Sequence, residues 1–108
     1  MIPTMQPQDV SASVENGAFL LDVRETNEFE AGRIDGATHI ALAELPDQLD
    51  ALPKDRYVIC VCRSGGRSGR AASFLIEQGY QAINLEGGMI AWHEAGLPMV
   101  GDDEPFVA

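Results

Sequence analysis

Basic residues are scarce in this chain of 108 residues: seven lysines and arginines stand against 17 aspartates and glutamates, a formal net charge of -10. Nucleic acid and anionic membrane surfaces both demand a basic face, so this balance argues against either as a partner. No apolar run approaches the length needed to cross a bilayer. The opening stretch MIPTMQPQDV has neither the basic start nor the apolar centre of a secretory signal, and a cytoplasmic protein is expected. Cysteine is sparse as well. Cys60 and Cys62 are one residue apart, which in an extended strand separates their Cα atoms by roughly 6.6 Å, near the upper limit for a disulfide. Reduced thiols are therefore expected, and in a cytosolic setting a working cysteine is more often catalytic or metal-binding than structural. Repeats and linkers are lacking too. The length suits one domain, 1–108, with a core over about 5–99 and a loosely held acidic tail over 100–108.

What is present alternates between two periods. Pro7, Val10 and Val14, stopped by Gly17, predict a short helix over about 7–15. AFLLDV (18–23) reads as a strand buried on both faces. Asn27 and Glu30 suggest a capping box for a short helix ahead of Gly32. ATHI (37–40) is a short strand, and ELPDQLDAL (44–52) a helix with Pro46 in its first turn and Leu45, Leu49 and Leu52 facing inward. YVICVC (57–62) is the strongest strand. A helix follows over about 67–78, ending at Gly79, then a strand AINL (82–85) and a helix opened by Gly87 and Gly88 that carries Trp92. Strands and helices alternating at this spacing give βαβ units, an α/β fold with a parallel sheet covered on both sides.

Three of the few basic residues, Arg63, Arg67 and Arg70, fall within eight positions after Cys62. A basic cluster alone is commonly just a solvated loop, so the weight rests on the loop's predicted geometry. Cys62 would lie at the carboxyl end of a parallel strand, where open α/β sheets bind ligands. Gly65 and Gly66 can take φ > 0, which lets the N–H groups of the following residues turn inward as a nest, while the next helix aims its positive end at the same point. Such a cradle binds an anion and would stabilise a thiolate, so Cys62 is the expected reactive thiol. Cys60, inside the apolar run, is expected to pack as a small hydrophobe.

Three motifs carry a resemblance. LLDVRETNEFEAGRIDGATHI (20–40), CRSGGRS (62–68) and LEGGMIAWHEAGLP (85–98) occur in the order and at the separations found in the rhodanese homology domain, and the chain most closely resembles the single-domain thiosulfate sulfurtransferases. The resemblance covers about 10–98. It implies a five-stranded parallel sheet flanked by helices and a double displacement without metal or organic cofactor. Cys62 would take the outer sulfur of thiosulfate or a related donor as a persulfide and pass it to a thiophilic acceptor: cyanide in the assay tube, and in the cell a thiol, thioredoxin or a sulfur-relay protein. Arg63 and Arg67 would hold the sulfonate end of the donor, and the backbone N–H groups of Arg63, Ser64, Gly65, Gly66, Arg67 and Ser68 would stabilise the anionic persulfide.

Cysteine phosphatases, including those of rhodanese fold, need an arginine six positions after the cysteine; here that position is Ser68, and Arg67 comes one residue earlier. The tighter loop favours sulfur over phosphate or arsenate. A non-catalytic persulfide carrier or partner-binding module is the competing reading. Asp22 and Arg24 are expected to form an ion pair supporting the loop, and Gly87 and Gly88 to let the backbone pass close to it. Arg33, where the family often has histidine, and His39 are read as structural. A zinc site from Cys60, Cys62, His39 and His93 is disfavoured by the one-residue cysteine spacing, Trp92 is assigned to the core, Glu86 receives no role, and the chain is taken as a monomer.

Overall fold

The computed structural model describes residues 2–108. Five parallel strands form one sheet in the order β1-β5-β4-β2-β3: β1 (Thr4–Met5), β2 (Phe19–Asp22), β3 (Thr38–His39), β4 (Val58–Val61) and β5 (Ala82–Leu85). In β4 every residue is buried, as a central parallel strand covered on both faces requires. Successive side chains alternate between two cores. Val58, Cys60 and Cys62 pack with Leu21, Leu45, Ala71 and Leu75 on one face, whereas Ile59 and Val61 pack with Val10, Leu20, Met89 and Trp92 on the other.

Helix α3 (Gly66–Glu77) therefore covers the first face, and α1 (Val10–Glu15) and α4 (Gly88–Glu94) the second. Strand β2 is followed in sequence by β3 on one side of it in the sheet, while β4 lies on its other side. The carboxyl ends of β2 and β4 thus flank the point where the strand order reverses, the usual crevice of open α/β sheets.

Several expectations need correction. The predicted helix over 44–52 is two 3-10 segments, Leu42–Asp47 and Leu49–Ala51, because Pro46 has no N–H to continue an α-helical ladder. Leu45 and Leu52 are buried as expected. The predicted helix over 7–15 begins with a 3-10 turn, Pro7–Asp9, before α1. The capping box of α2 (Thr26–Ala31) is Glu25 with Glu28, not Asn27 with Glu30; the Glu25 N–H donates to Glu28 Oε1 at 3.0 Å.

The acidic tail is held, not loose. Arg33 and Val100 exchange backbone hydrogen bonds at 2.8 and 2.9 Å, and the Asp102 and Phe106 N–H groups donate to the carbonyls of Glu30 and Ala31 at 2.9 and 3.1 Å. Arg33 Nη1 adds an ion pair to Asp102 at 3.1 Å. Gly32 permits this approach, since a Cβ there would lie 2.3 Å from the Phe106 carbonyl oxygen. Trp92 is core as expected, and its Nε1–H donates to the Pro98 carbonyl at 2.9 Å.

Candidate active site

Cys62 follows β4 directly, and the chain then turns through Arg63, Ser64 and Gly65 into α3. Gly65 caps that helix at φ +107°, a conformation that glycine adopts without the Cβ penalty. The turn brings the Gly65 N–H to 3.0 Å and the Ser68 hydroxyl to 3.2 Å from Cys62 Sγ. Cys62 is 1% exposed, so its sulfur lies on the floor of the loop. Burial pushes the Cys62 thiol up, but donation from the Ser68 hydroxyl and from the N–H groups of Ser68, Gly65 and Ser64 more than offsets this, and the net shift is downward.

Cys60, on the same face two residues earlier, is wholly buried and without such donors; burial, and secondarily the neighbouring Cys62, raise its thiol to about 12. Two cysteines on one face, one within β4 and one just past its end, are thus shifted in opposite directions. His39 and His93 lie apart from both: His39 stacks on Phe29 with ring centroids 4.7 Å apart and its Nε2 2.6 Å from the Arg24 carbonyl oxygen, while His93 is exposed on α4.

The loop is tied down from three directions. From the α4 side, the Met89 and Ile90 N–H groups donate to the carbonyls of Cys62 and Arg63 at 2.9 and 3.0 Å. Gly88 makes this approach possible: its φ is +58°, and a Cβ there would stand 2.5 Å from the Cys62 carbonyl oxygen. Gly88→Ala should accordingly lose about 2–3 kcal/mol of stability, through positive-φ strain and backbone overlap together. Denaturant unfolding measures the loss, and a change under 1 kcal/mol would show that the approach is not tight.

From the α2 side, Glu28 grips Arg67 through two bonds, Oε1 to Nη1 at 2.7 Å and Oε2 to Nη2 at 2.8 Å. Arg67 was expected to hold a donor's sulfonate end, but both its terminal nitrogens are committed to this bridge, so its observed contribution is to loop position. Arg63, the other side chain expected to bind the donor, remains exposed and its Nε donates to the Ala108 carbonyl at 3.0 Å; Arg70, the third arginine of the cluster, faces solvent on α3. The Arg67 hydrogen bond holds the Glu28 carboxyl down at about 2, against the opposing effect of burial.

A carboxyl depressed in the folded state stabilises above its unfolded value and loses that contribution as pH falls through the folded one. For Glu28 that window runs from 4.5 down to about 2. Because the pair is partly solvent-screened, with Arg67 30% exposed, we expect about 1 kcal/mol to be lost across the window. Glu28→Gln should remove that part of the acid dependence; parallel stability-versus-pH curves for the two proteins would contradict the assignment.

From below come Asp22, the last residue of β2, and Arg24 just beyond it, both fully buried. Arg24 donates to Asp22 from Nε at 2.9 Å and from Nη2 at 2.8 Å, and Nη2 also reaches the Gly32 carbonyl at 2.7 Å. The expected ion pair is present, but it acts on the loop through α2: Arg24 holds the end of the helix whose Glu28 holds Arg67. The sequence reading missed Glu28, which it passed over in favour of Glu30, and Asn84, a half-buried residue on β5 within reach of both Ser68 and Gly65. An amide in an otherwise apolar strand was the available signal for Asn84, since asparagine is depleted in strands.

Comparison with known proteins agrees with this architecture. A family model described as Rhodanese-like domain matches residues 6–95. The chain is 43% identical over 80 residues to the putative sulfurtransferase YtwF of Bacillus subtilis, covering 74% of this chain and 78% of that one. It is 32% identical over 99 residues to the thiosulfate sulfurtransferase GlpE of Stutzerimonas stutzeri, covering 91% of each. Among solved structures, a rhodanese-related protein from Thermoplasma volcanium superposes with a TM-score of 0.85 at 31% identity, covering 91% of this chain and 97% of that one. Reduced Bacillus anthracis CoADR-RHD superposes at 0.81 and 40% identity over 84% of this chain, which spans only 16% of that longer protein. With a five-stranded parallel sheet, a cysteine loop at the carboxyl end of its central strand and a family match over most of its length, the chain belongs to the rhodanese-like domain family.

Proposed function

We propose that the protein is a sulfurtransferase that moves sulfane sulfur through a persulfide on Cys62, with thiosulfate or a closely related anion as donor. The observation that carries this reading is the cradle around one sulfur: the Gly65 N–H and the Ser68 hydroxyl converge on Cys62 Sγ, and the thiol is shifted toward its ionised form. A thiolate needs no general base to attack. Its electron pair forms a bond to the outer sulfur of the donor, the donor's sulfur–sulfur bond breaks, and the pair leaves on sulfite. The terminal sulfur of the persulfide then carries the charge, and the loop N–H groups suit it as fixed dipoles. An acceptor nucleophile takes that sulfur and returns Cys62 to the thiolate.

The near-complete cover of Cys62 favours a donor whose reactive atom projects from a small anion over a bulky phosphate ester. The relatives named as sulfurtransferases support the class, and the GlpE name supports thiosulfate among donors. For the acceptor, a cytoplasmic thiol, thioredoxin or a sulfur-relay protein fits the chemistry, and a carrier that hands its persulfide to one protein partner would use the same intermediate. Steady-state assays with thiosulfate and cyanide test the reading. Release of one sulfite per thiocyanate, with no hydrolysis of a phosphate monoester, is expected; phosphatase activity without sulfur transfer would overturn it.

A further inference from the structure

Asn84 touches two parts of the Cys62 cradle at once. Its Nδ2 donates to the Gly65 carbonyl at 3.0 Å, which orients the amide so that Oδ1 faces Ser68 at 2.5 Å from Oγ. The same Oγ lies 3.2 Å from Cys62 Sγ. A serine hydroxyl has one proton to donate. With Cys62 as a neutral thiol, all three groups are satisfied in a chain: Sγ–H donates to Ser68 Oγ, and Oγ–H donates to Asn84 Oδ1. With Cys62 as a thiolate, the sulfur and Oδ1 compete for that single proton, and donation to sulfur would leave two oxygen acceptors facing one another at 2.5 Å.

We propose that Asn84 is a positioning residue that shares the Ser68 proton with the Cys62 thiolate, so that the hydroxyl stabilises the sulfur less, and leaves it more nucleophilic, than the loop alone would. The inference rests on the reading of Cys62 as the nucleophile. Loss of the Asn84 amide would leave the other contact intact in its essentials, because the Gly65 carbonyl also accepts from the Gly69 N–H at 3.0 Å. The dominant effect of removing Asn84 is therefore to free the Ser68 hydroxyl from its second acceptor, so that it donates to the thiolate alone. The other charged and titratable groups acting on Cys62 are Cys60 on β4 and Arg67 on α3, the latter neutralised by Glu28 on α2. Cys60 stands opposite Asn84 in the β4–β5 register, and all three groups are common to the proteins compared.

The test is the pH profile of Cys62 alkylation by iodoacetamide, with the modified cysteine identified by peptide mass and thiolate formation followed by ultraviolet absorbance. Asn84→Ala and Asn84→Val are compared with the parent chain, and each again in a Ser68→Ala background. A thiolate that is ten times easier to form is also intrinsically slower by roughly threefold, because nucleophilicity falls with basicity. The profiles should therefore cross: the Asn84 variants react about threefold faster below the midpoint and about threefold slower on the alkaline plateau. In the Ser68→Ala background, the Asn84 substitutions should change neither limb. Profiles that do not cross, or a crossing that survives without the Ser68 hydroxyl, would overturn the proposal while leaving Cys62 as nucleophile. Absence of Cys62 alkylation in the parent chain, with Cys60 reacting instead, would overturn both.

Discussion

Cys62→Ser is expected to lower sulfur transfer from thiosulfate to cyanide by at least ~1000-fold, while Cys60→Ser retains turnover within about threefold. A serine hydroxyl in the same cradle is not ionised at neutral pH and forms no persulfide, so the whole double displacement is lost. Cys60 is wholly buried, with its thiol raised to about 12, and the proposed reaction gives it no part in either half-reaction. Placing a hydroxyl there should instead reduce stability by about 1–3 kcal/mol, the cost of burying an unmatched polar group. Steady-state rates at saturating thiosulfate separate the two cysteines. Equal losses in the two variants would mean that the arrangement at the end of β4 does not distinguish them.

Arg24→Ala, or Asp22→Ala, should destabilise the fold by about 3–5 kcal/mol, because either change leaves one charge buried without its partner. Both residues lie at the carboxyl end of β2 with essentially no solvent exposure. The pair is not an ideal one: Arg24 Nη1 is buried without a hydrogen-bond partner. Desolvation of the two ions is thus incompletely offset, and the double variant Asp22→Leu with Arg24→Met should be more stable than either single alanine variant. Urea unfolding of the four proteins measures this. Single variants within 1 kcal/mol of the parent would show that water reaches the pair and that it does not anchor α2.

These two effects differ in how they reach the chemistry. In the proposed reaction Cys62 acts on the donor directly, whereas Asp22 and Arg24 reach the loop through the end of α2 at Gly32, and Glu28 on that helix fixes Arg67 in the loop. The ion pairs around this site therefore serve chiefly to set backbone position. Polar contact with the sulfur itself comes from the backbone and Ser68, whose dipoles need no counter-ion and add no mobile charge to the floor of the loop.

The part of the site that was legible in the sequence was the part encoded locally. An unbroken apolar run, a cysteine, two glycines and a helical period specify β4, the turn and α3 within about twenty residues. Strand β1 was not legible, because Thr4 and Met5 are a strand only through pairing with Asn84 and Leu85 of β5. The 3-10 segments over 42–51 read as an α-helix because the leucine spacing suits both, and Pro46 was placed in a first turn that does not form. The tail looked unattached since its charge suggested solvation, yet its backbone pairs with Arg33 and with the last turn of α2.

Glu28 and Asn84 escaped for a related reason. Their partners are 39 and 16 residues away, at Arg67 and Ser68, and only the folded sheet brings them together. Arg67 illustrates the cost of that blindness: a basic side chain after a nucleophilic cysteine invites assignment to the substrate, and its carboxylate partner shows it to be engaged elsewhere.

The most direct test of the account is the intact mass of the reduced protein after incubation with thiosulfate, followed by peptide mapping and then by addition of cyanide. The expected result is a gain of one sulfur atom, located on the peptide at Cys62 and removed by cyanide. No gain, or a gain located at Cys60, would contradict a sulfurtransferase working through the Cys62 cradle.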